Sequence, residues 1–306
     1  MFLRQFACGS PDGGQLTTPG PTVRMKPCVA LATASRIDTG TSMARRNWNK
    51  VFVTGGTSFV GLRVVAALVN AGADVTVLVR PDHEEKLGTL RRHVHMVSGD
   101  VWNIASLRGR SRGHGAVIHL VGSLRAQPNR GQTFHQLNLV SARNAISMAV
   151  GDGVPYLVLL SAVSRPPGVS MEYLRSKREA EEYLRGSGLR WAIVRAPVLF
   201  DREQRGGAFL NALSRIGALP LLRVVAGRRA PLPVELAARG IAQAGLQGEL
   251  PPNRVLYAGD LRRLGRVTGP KKTRLKLTRS PEPDLDSLAD DEVPFGWQPD
   301  PPRDKE

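Results

Sequence analysis

From Lys50 onward, short dense runs of apolar residues alternate with stretches in which apolar side chains recur every three to four positions. Val51 to Thr54 is the first run, rich in β-branched residues, and Gly55 and Gly56 close it. Phe59 to Ala71 follows at helical spacing, and Val75 to Val79 is apolar and β-branched again. A period near 2, then one near 3.6, then one near 2 predicts strand, helix, strand at the length of a βαβ unit. The alternation predicts further strands at Val94 to Val97, Ala116 to Val121, Tyr156 to Leu160 and Trp191 to Val194. Between them it predicts helices over Thr133 to Val150 and Met171 to Arg185. Strands that are apolar throughout must be covered on both faces, and helices between successive strands supply the cover. The predicted fold class is therefore α/β, a doubly wound parallel sheet.

After Arg195 the alternation weakens. It predicts a helix from Ala208 to Ile216, another from Pro233 to Ala244, and a strand at Arg254 to Ala258. Residues 1–46 are rich in Gly, Pro, Thr and Ser and lack a sustained period, which predicts a leader that does not fold alone. That leader is either a transit peptide or an upstream mis-start, with Met43, Ala44, Arg45 and Arg46 making a natural beginning. The expected organisation is a leader over 1–46, a principal domain over 47–200, a small substrate-binding annex over 201–268, and a disordered, charged and Pro-rich tail over 269–306.

Composition narrows the function classes. No run approaches the roughly 18 apolar residues of a spanning helix. Both cysteines, Cys8 and Cys28, lie in the leader, which excludes a Cys-based metal site in the principal domain. The net charge of +17 would suit a polyanionic partner, but the arginines are dispersed along the chain without interleaved aromatics. A generally basic surface is the expectation, and nucleic acid is not the expected partner. The expected location is cytoplasmic, or an organelle if the leader is a transit peptide.

The first turn carries chemistry. Thr54, Gly55, Gly56, Thr57, Ser58, Phe59, Val60 and Gly61 join the first strand to the first helix. Glycine is needed where φ is positive or where a pyrophosphate must approach without a Cβ, and the helix N-terminus offers N–H groups and its dipole to phosphates. The expected ligand is a dinucleotide, held by Gly55, Thr57, Ser58, Phe59, Val60 and Gly61. At position 58 a Cβ restricts the closest approach, while the Ser58 hydroxyl offers a donor to a phosphate oxygen. The second strand ends Val79, Arg80, with no carboxylate for ribose hydroxyls and a guanidinium able to pair a 2′-phosphate. This favours NADP(H) over NAD(H). Asp100, after Gly99 and the third strand, is either a cofactor residue or an N-cap for a helix starting near Asn103.

Tyr173 and Lys177 stand four apart on a predicted helix, hence on one face, where an ammonium favours the phenolate and lets tyrosine exchange a proton with a substrate oxygen. With the glycine turn, this Y-x-x-x-K pattern resembles the extended or atypical short-chain dehydrogenase/reductase superfamily, whose members adopt the NAD(P)-binding Rossmann fold. By that resemblance Gly55, Ser58 and Gly61 occupy the three glycine places, Asp100 contacts adenine, Lys177 also holds the nicotinamide ribose, and Asn138 supports the lysine. Over Ser161 to Phe200, and again at Arg229 to Ala242, the chain is similar to the branch containing the nucleotide-binding accessory subunit of respiratory complex I and its bacterial relatives. The resemblance implies an NAD(P)H-dependent oxidoreductase acting on an unknown small molecule. The rival is a non-catalytic nucleotide-binding subunit or assembly factor of a respiratory-type complex, and a weaker alternative is an RNA-associated protein. The family's catalytic Ser or Thr falls at Val163, which cannot hydrogen-bond a carbonyl; Ser161 and Ser164 are the neighbouring hydroxyls. His93 and His95 are expected on one face of a short strand without a third ligand, so no metal site is expected. His119 is expected as a core residue of a buried strand.

Overall fold

The computed structural model describes residues 49–126, 128, 131–166, 168–201, 230–246 and 253–266. The leader, the tail and the helix expected at Ala208 to Ile216 lie outside these. Seven parallel strands form one sheet: β1 (Lys50–Thr54), β2 (Asp74–Val79), β3 (His95–Ser98), β4 (Ala116–His119), β5 (Tyr156–Ala162), β6 (Arg190–Ala196) and β9 (Arg254–Leu256). Their order is β3-β2-β1-β4-β5-β6-β9, and every pairing is parallel. A separate short pair joins β7 (Leu199–Phe200) to β8 (Leu232–Pro233).

The helices are α1 (Phe59–Asn70), α2 (Ile104–Leu107), α3 (Ser141–Gly151), α4 (Met171–Arg185), α5 (Val234–Leu246) and α6 (Ala258–Arg266). Side chains alternate across each strand, so the sheet has two cores. Val51, Val53, Val77, Ile118 and Val194 pack on one face with Val64 and Leu68 of α1, Ile241 of α5 and Leu261 of α6. Phe52, Val117, Leu157, Leu159 and Ile193 pack on the other with Ile146 of α3 and Leu184 of α4. Full burial stabilises each larger aliphatic side chain by about 1.5–3 kcal/mol. The doubly wound sheet expected from sequence is thus present, and its strand order reverses between β1 and β4, the crevice where open α/β sheets place ligands.

Several elements differ from expectation. Pro81–His93, without apolar periodicity, forms 3₁₀ turns interrupted at Gly88 and anchored by buried Leu87 and Leu90. His93 ends that segment while His95 opens β3, so the two do not share a strand; His95 instead pairs with Asp74 at 3.3 Å. The helix expected from Thr133 starts with a wider π turn over His135–Val140 before α3, which carries Asn138 inward. The strand expected to reach Val121 ends at His119. The last strand stops at Leu256 because the Asp260 carboxylate accepts the Tyr257 N–H at 3.0 Å and starts α6, which the sequence pattern did not predict. Within the stretch expected as an annex, β9 completes the main sheet beside β6, and α5 covers the face shared with α1.

Candidate functional site

The turn after β1 is built for close approach. Gly55 has φ of +77°, and a Cβ there would meet the Val121 nitrogen at 2.9 Å. Gly61 lies against the Gly55 carbonyl and the Gly56 backbone, where a Cβ would overlap both. Ser58 is the N-cap of α1: its hydroxyl accepts the Gly61 N–H at 3.1 Å and donates to the Gly55 carbonyl at 2.8 Å. In this arrangement the hydroxyl proton closes the turn on itself. The helix N-terminus retains the first-turn N–H groups of Phe59 and Val60, which have no acceptor within the helix. A cradle that only glycine permits, opening a helix N-terminus at the strand-order reversal, fits a dinucleotide pyrophosphate. Thr57 lies in the same turn.

Arg80 and Asp100 stand at the neighbouring ends of β2 and β3. An Arg80 Nη lies 2.8 Å from His83 Nδ1, and its guanidinium sits 6.0 Å from the Trp102 ring centre. Burial, then the Arg80 and Lys86 charges, push the His83 pKa down to about 4, so the imidazole is neutral and accepts from Arg80. Asp100 is buried, and its carboxylate accepts the Trp102 N–H at 3.0 Å. Of the alternatives for Asp100, the N-cap falls away, because Asn103 itself caps α2 by accepting the Ala105 N–H.

Tyr173 and Lys177 are both buried on α4, a helix started by Ser170, whose hydroxyl accepts the Glu172 N–H. The Lys177 ammonium donates to the carbonyls of Val121 at 3.3 Å and Leu160 at 3.4 Å, reaching between the ends of β4 and β5. Val121 thus touches both the glycine turn and the lysine. Gly122 adjoins the same point: a Cβ there would collide with the Lys177 ammonium and the Asn138 amide oxygen. Asn138 accepts the Ser123 N–H at 3.1 Å and so fixes the loop after β4. The Phe134 ring meets the Tyr173 ring edge-on at 5.9 Å.

Two polar features escaped the sequence reading. Fully buried Glu181, one turn beyond Lys177, accepts from Ser161 at 2.6 Å, Arg195 at 2.6 Å, Arg185 at 3.0 Å and also Arg178. Burial alone would raise its carboxyl pKa, but the Arg195 and Ser161 hydrogen bonds and the arginine charges outweigh it and hold the pKa below the ordinary value. Arg178 also donates to the Ala162 carbonyl at 2.9 Å, so the cluster fixes the end of β5. Ser161 is therefore occupied, Val163 presents no hydroxyl, and Ser164 is half-buried on the bend beyond. The signal was available as a carboxylate inside the inward face of an amphipathic helix. The second feature is His119: fully buried as expected, it places Nδ1 2.8 Å from the Thr54 hydroxyl, while Nε2 has no partner among the described residues. Burial, then the Lys177 charge, push its pKa down to about 3. Among the described residues no cluster of ligand-type side chains could hold a metal ion.

With this geometry established, residues 55–217, more than half of the chain, match the NAD(P)H-binding family. The chain belongs to that family. It carries an NAD(P)H-binding domain with a Rossmann fold. It is 32% identical over 175 residues to a ceramide reductase of Caulobacter vibrioides, covering 56% of this chain and 53% of that protein. The chain thus spans about half the length of that curated relative. The fold resembles Bordetella bronchiseptica WbmH in complex with NAD+ (21% identity, 67% of this chain and 74% of that one, TM-score 0.50). It equally resembles the dTDP-glucose 4,6-dehydratase DesIV of Streptomyces venezuelae with NAD bound (19% identity, 71% and 79%, TM-score 0.51). Among the described residues no helix is long and apolar enough to cross a membrane.

Proposed function

We propose that this protein is an NAD(P)H-dependent oxidoreductase that reduces a carbonyl of a small molecule, with Tyr173 as proton donor. The observation that carries this reading is the burial of Tyr173 and Lys177 on one helix face, with the Lys177 ammonium anchored to the Val121 carbonyl beside the glycine turn. When bound, the dinucleotide supplies the hydride. The turn over Gly55 to Gly61 would hold the pyrophosphate, Asp100 would serve the adenine, and Arg80 would pair a 2′-phosphate, which would make NADP(H) the preferred cofactor. Tyr173 gives its hydroxyl proton to the substrate oxygen as the carbonyl carbon accepts the hydride, leaving an alcohol. Lys177 stabilises the resulting phenolate and orients the ribose. Because Val163 offers no second donor to the developing oxyanion, turnover is slow by about 10²- to 10³-fold relative to a site with that donor. The name of the curated relative brings ceramide-type lipids into the substrate panel. A cytoplasmic location is part of this reading.

Val163 also favours a second reading, in which the dinucleotide is a structural ligand of a non-catalytic subunit. NADPH oxidation against quinones, aldehydes, ketones and ceramide-type lipids separates the two. Slow oxidation that is lost in Tyr173→Phe and raised in Val163→Ser supports the enzyme. Retention of nucleotide without turnover, identical in wild type and Tyr173→Phe, supports the structural subunit.

A further inference from the structure

We propose that His119 is a positioning residue for Lys177, accepting a hydrogen bond from the ammonium through a buried water at Nε2 while Thr54 holds the opposite nitrogen. The inference rests on the catalytic reading of Tyr173 and Lys177 and extends it to a line of side chains starting at the cofactor turn. β4 lies between β1 and β5. Thr54 and His119 are register partners across β1 and β4, and the imidazole turns Nδ1 toward β1 to meet the Thr54 hydroxyl at 2.8 Å. That leaves Nε2 without a partner among the described residues, and the Lys177 ammonium, which reaches the carbonyls of Val121 and Leu160, is close enough for its charge to act on the ring.

A fully buried imidazole nitrogen without a hydrogen bond is costly, and buried water is the usual remedy where polar groups converge. The tautomer follows from electrostatics. Burial keeps the ring neutral, so one nitrogen carries the proton and the other a lone pair. An ammonium linked to Nε2 through that water favours the lone pair there and the proton on Nδ1, which makes the Thr54 hydroxyl the acceptor. Thr54 immediately precedes Gly55, so the residue that begins the pyrophosphate turn also sets the ring that steadies the catalytic lysine. The ammonium is then held from beneath as well as by the carbonyls of Val121 and Leu160.

The direct test is ¹⁵N NMR of histidine-labelled full-length protein, with His119 assigned by its loss in His119→Leu. A neutral ring protonated at Nδ1 near pH 7 is expected. A proton on Nε2, or a charged ring, overturns the proposal whatever Tyr173 does. The kinetic test compares Thr54→Val with Thr54→Ser, using NADPH and the fastest carbonyl substrate of the panel. Leaving the buried Nδ1–H without its acceptor predicts roughly a 5- to 100-fold fall in kcat for Thr54→Val, with KM for NADPH changed far less and the rate restored in Thr54→Ser. Equal kcat in all three proteins overturns the proposal. Failure of the catalytic reading shows separately, as a Tyr173→Phe variant that matches wild type.

Discussion

Replacing Glu181 with Gln removes the one carboxylate among Arg178, Arg185, Arg195 and Ser161 and leaves three guanidiniums around a neutral amide. Glu181 has no exposed surface, whereas its arginine partners keep 28%, 37% and 23% of theirs, so water compensates the cations only in part. Breaking a buried pair from one side typically costs about 3–5 kcal/mol, because the partner charges are left unpaired. For a domain of this size that is a fall in Tm of roughly 6–20 °C. The pH dependence is distinctive. Since the folded-state carboxyl pKa is held below its unfolded value, the wild-type cluster contributes fully above the unfolded pKa of about 4.3 and is lost as pH falls through the folded pKa. Denaturant unfolding of both proteins between pH 7 and pH 3 should show a large gap at neutral pH that closes in acid. A gap below about 1 kcal/mol at pH 7, or one that does not narrow with acid, would refute the reasoning.

Three further outcomes follow from the geometry. Gly61→Ala should abolish dinucleotide binding by fluorescence titration, because its Cβ overlaps the Gly55 and Gly56 backbone and forces the turn open, at about 1–3 kcal/mol of stability; tight binding by this variant would contradict the cradle. His83, whose pKa is pushed down to about 4 partly by Arg80, should titrate higher when NADPH binds and less so with NADH, since only the 2′-phosphate offsets the Arg80 charge; equal NMR shifts with both would remove the 2′-phosphate from Arg80. Gly122→Ala should impair Lys177 and Asn138 together, seen as a loss of kcat larger than the loss of thermal stability; a rise in kcat would count against the placement of the lysine.

The sheet was legible because its strands are apolar throughout and its helices keep a clear period, and α4 was bounded to the residue by Ser170 and Gly186. The placement of the glycine turn and of Tyr173 and Lys177 on one helix was legible because it depends on local spacing. What escaped depends on partners distant in sequence. Arg178 and Arg185 stand one turn from Glu181 on its own helix, but Ser161 and Arg195, which complete the cluster, lie 20 and 14 positions away. The Thr54–His119 contact spans 65 positions and becomes visible only once β1 and β4 are known to be neighbours. Ser58 has a strong local use that the sequence did not mark: its hydroxyl is the N-cap of α1. The π turn that buries Asn138 leaves no mark in a pattern that continues smoothly into α3.

The central claim is tested most directly by following the transferred hydrogen. NADPH carrying deuterium at the reactive C4 position is incubated with the protein and the best carbonyl substrate of the panel, and the alcohol product is analysed by mass spectrometry. One deuterium on the former carbonyl carbon, from one C4 face only and absent with Tyr173→Phe, is the predicted result. Bound NADPH that keeps its deuterium against every substrate, or label transfer undiminished in Tyr173→Phe, would contradict the account.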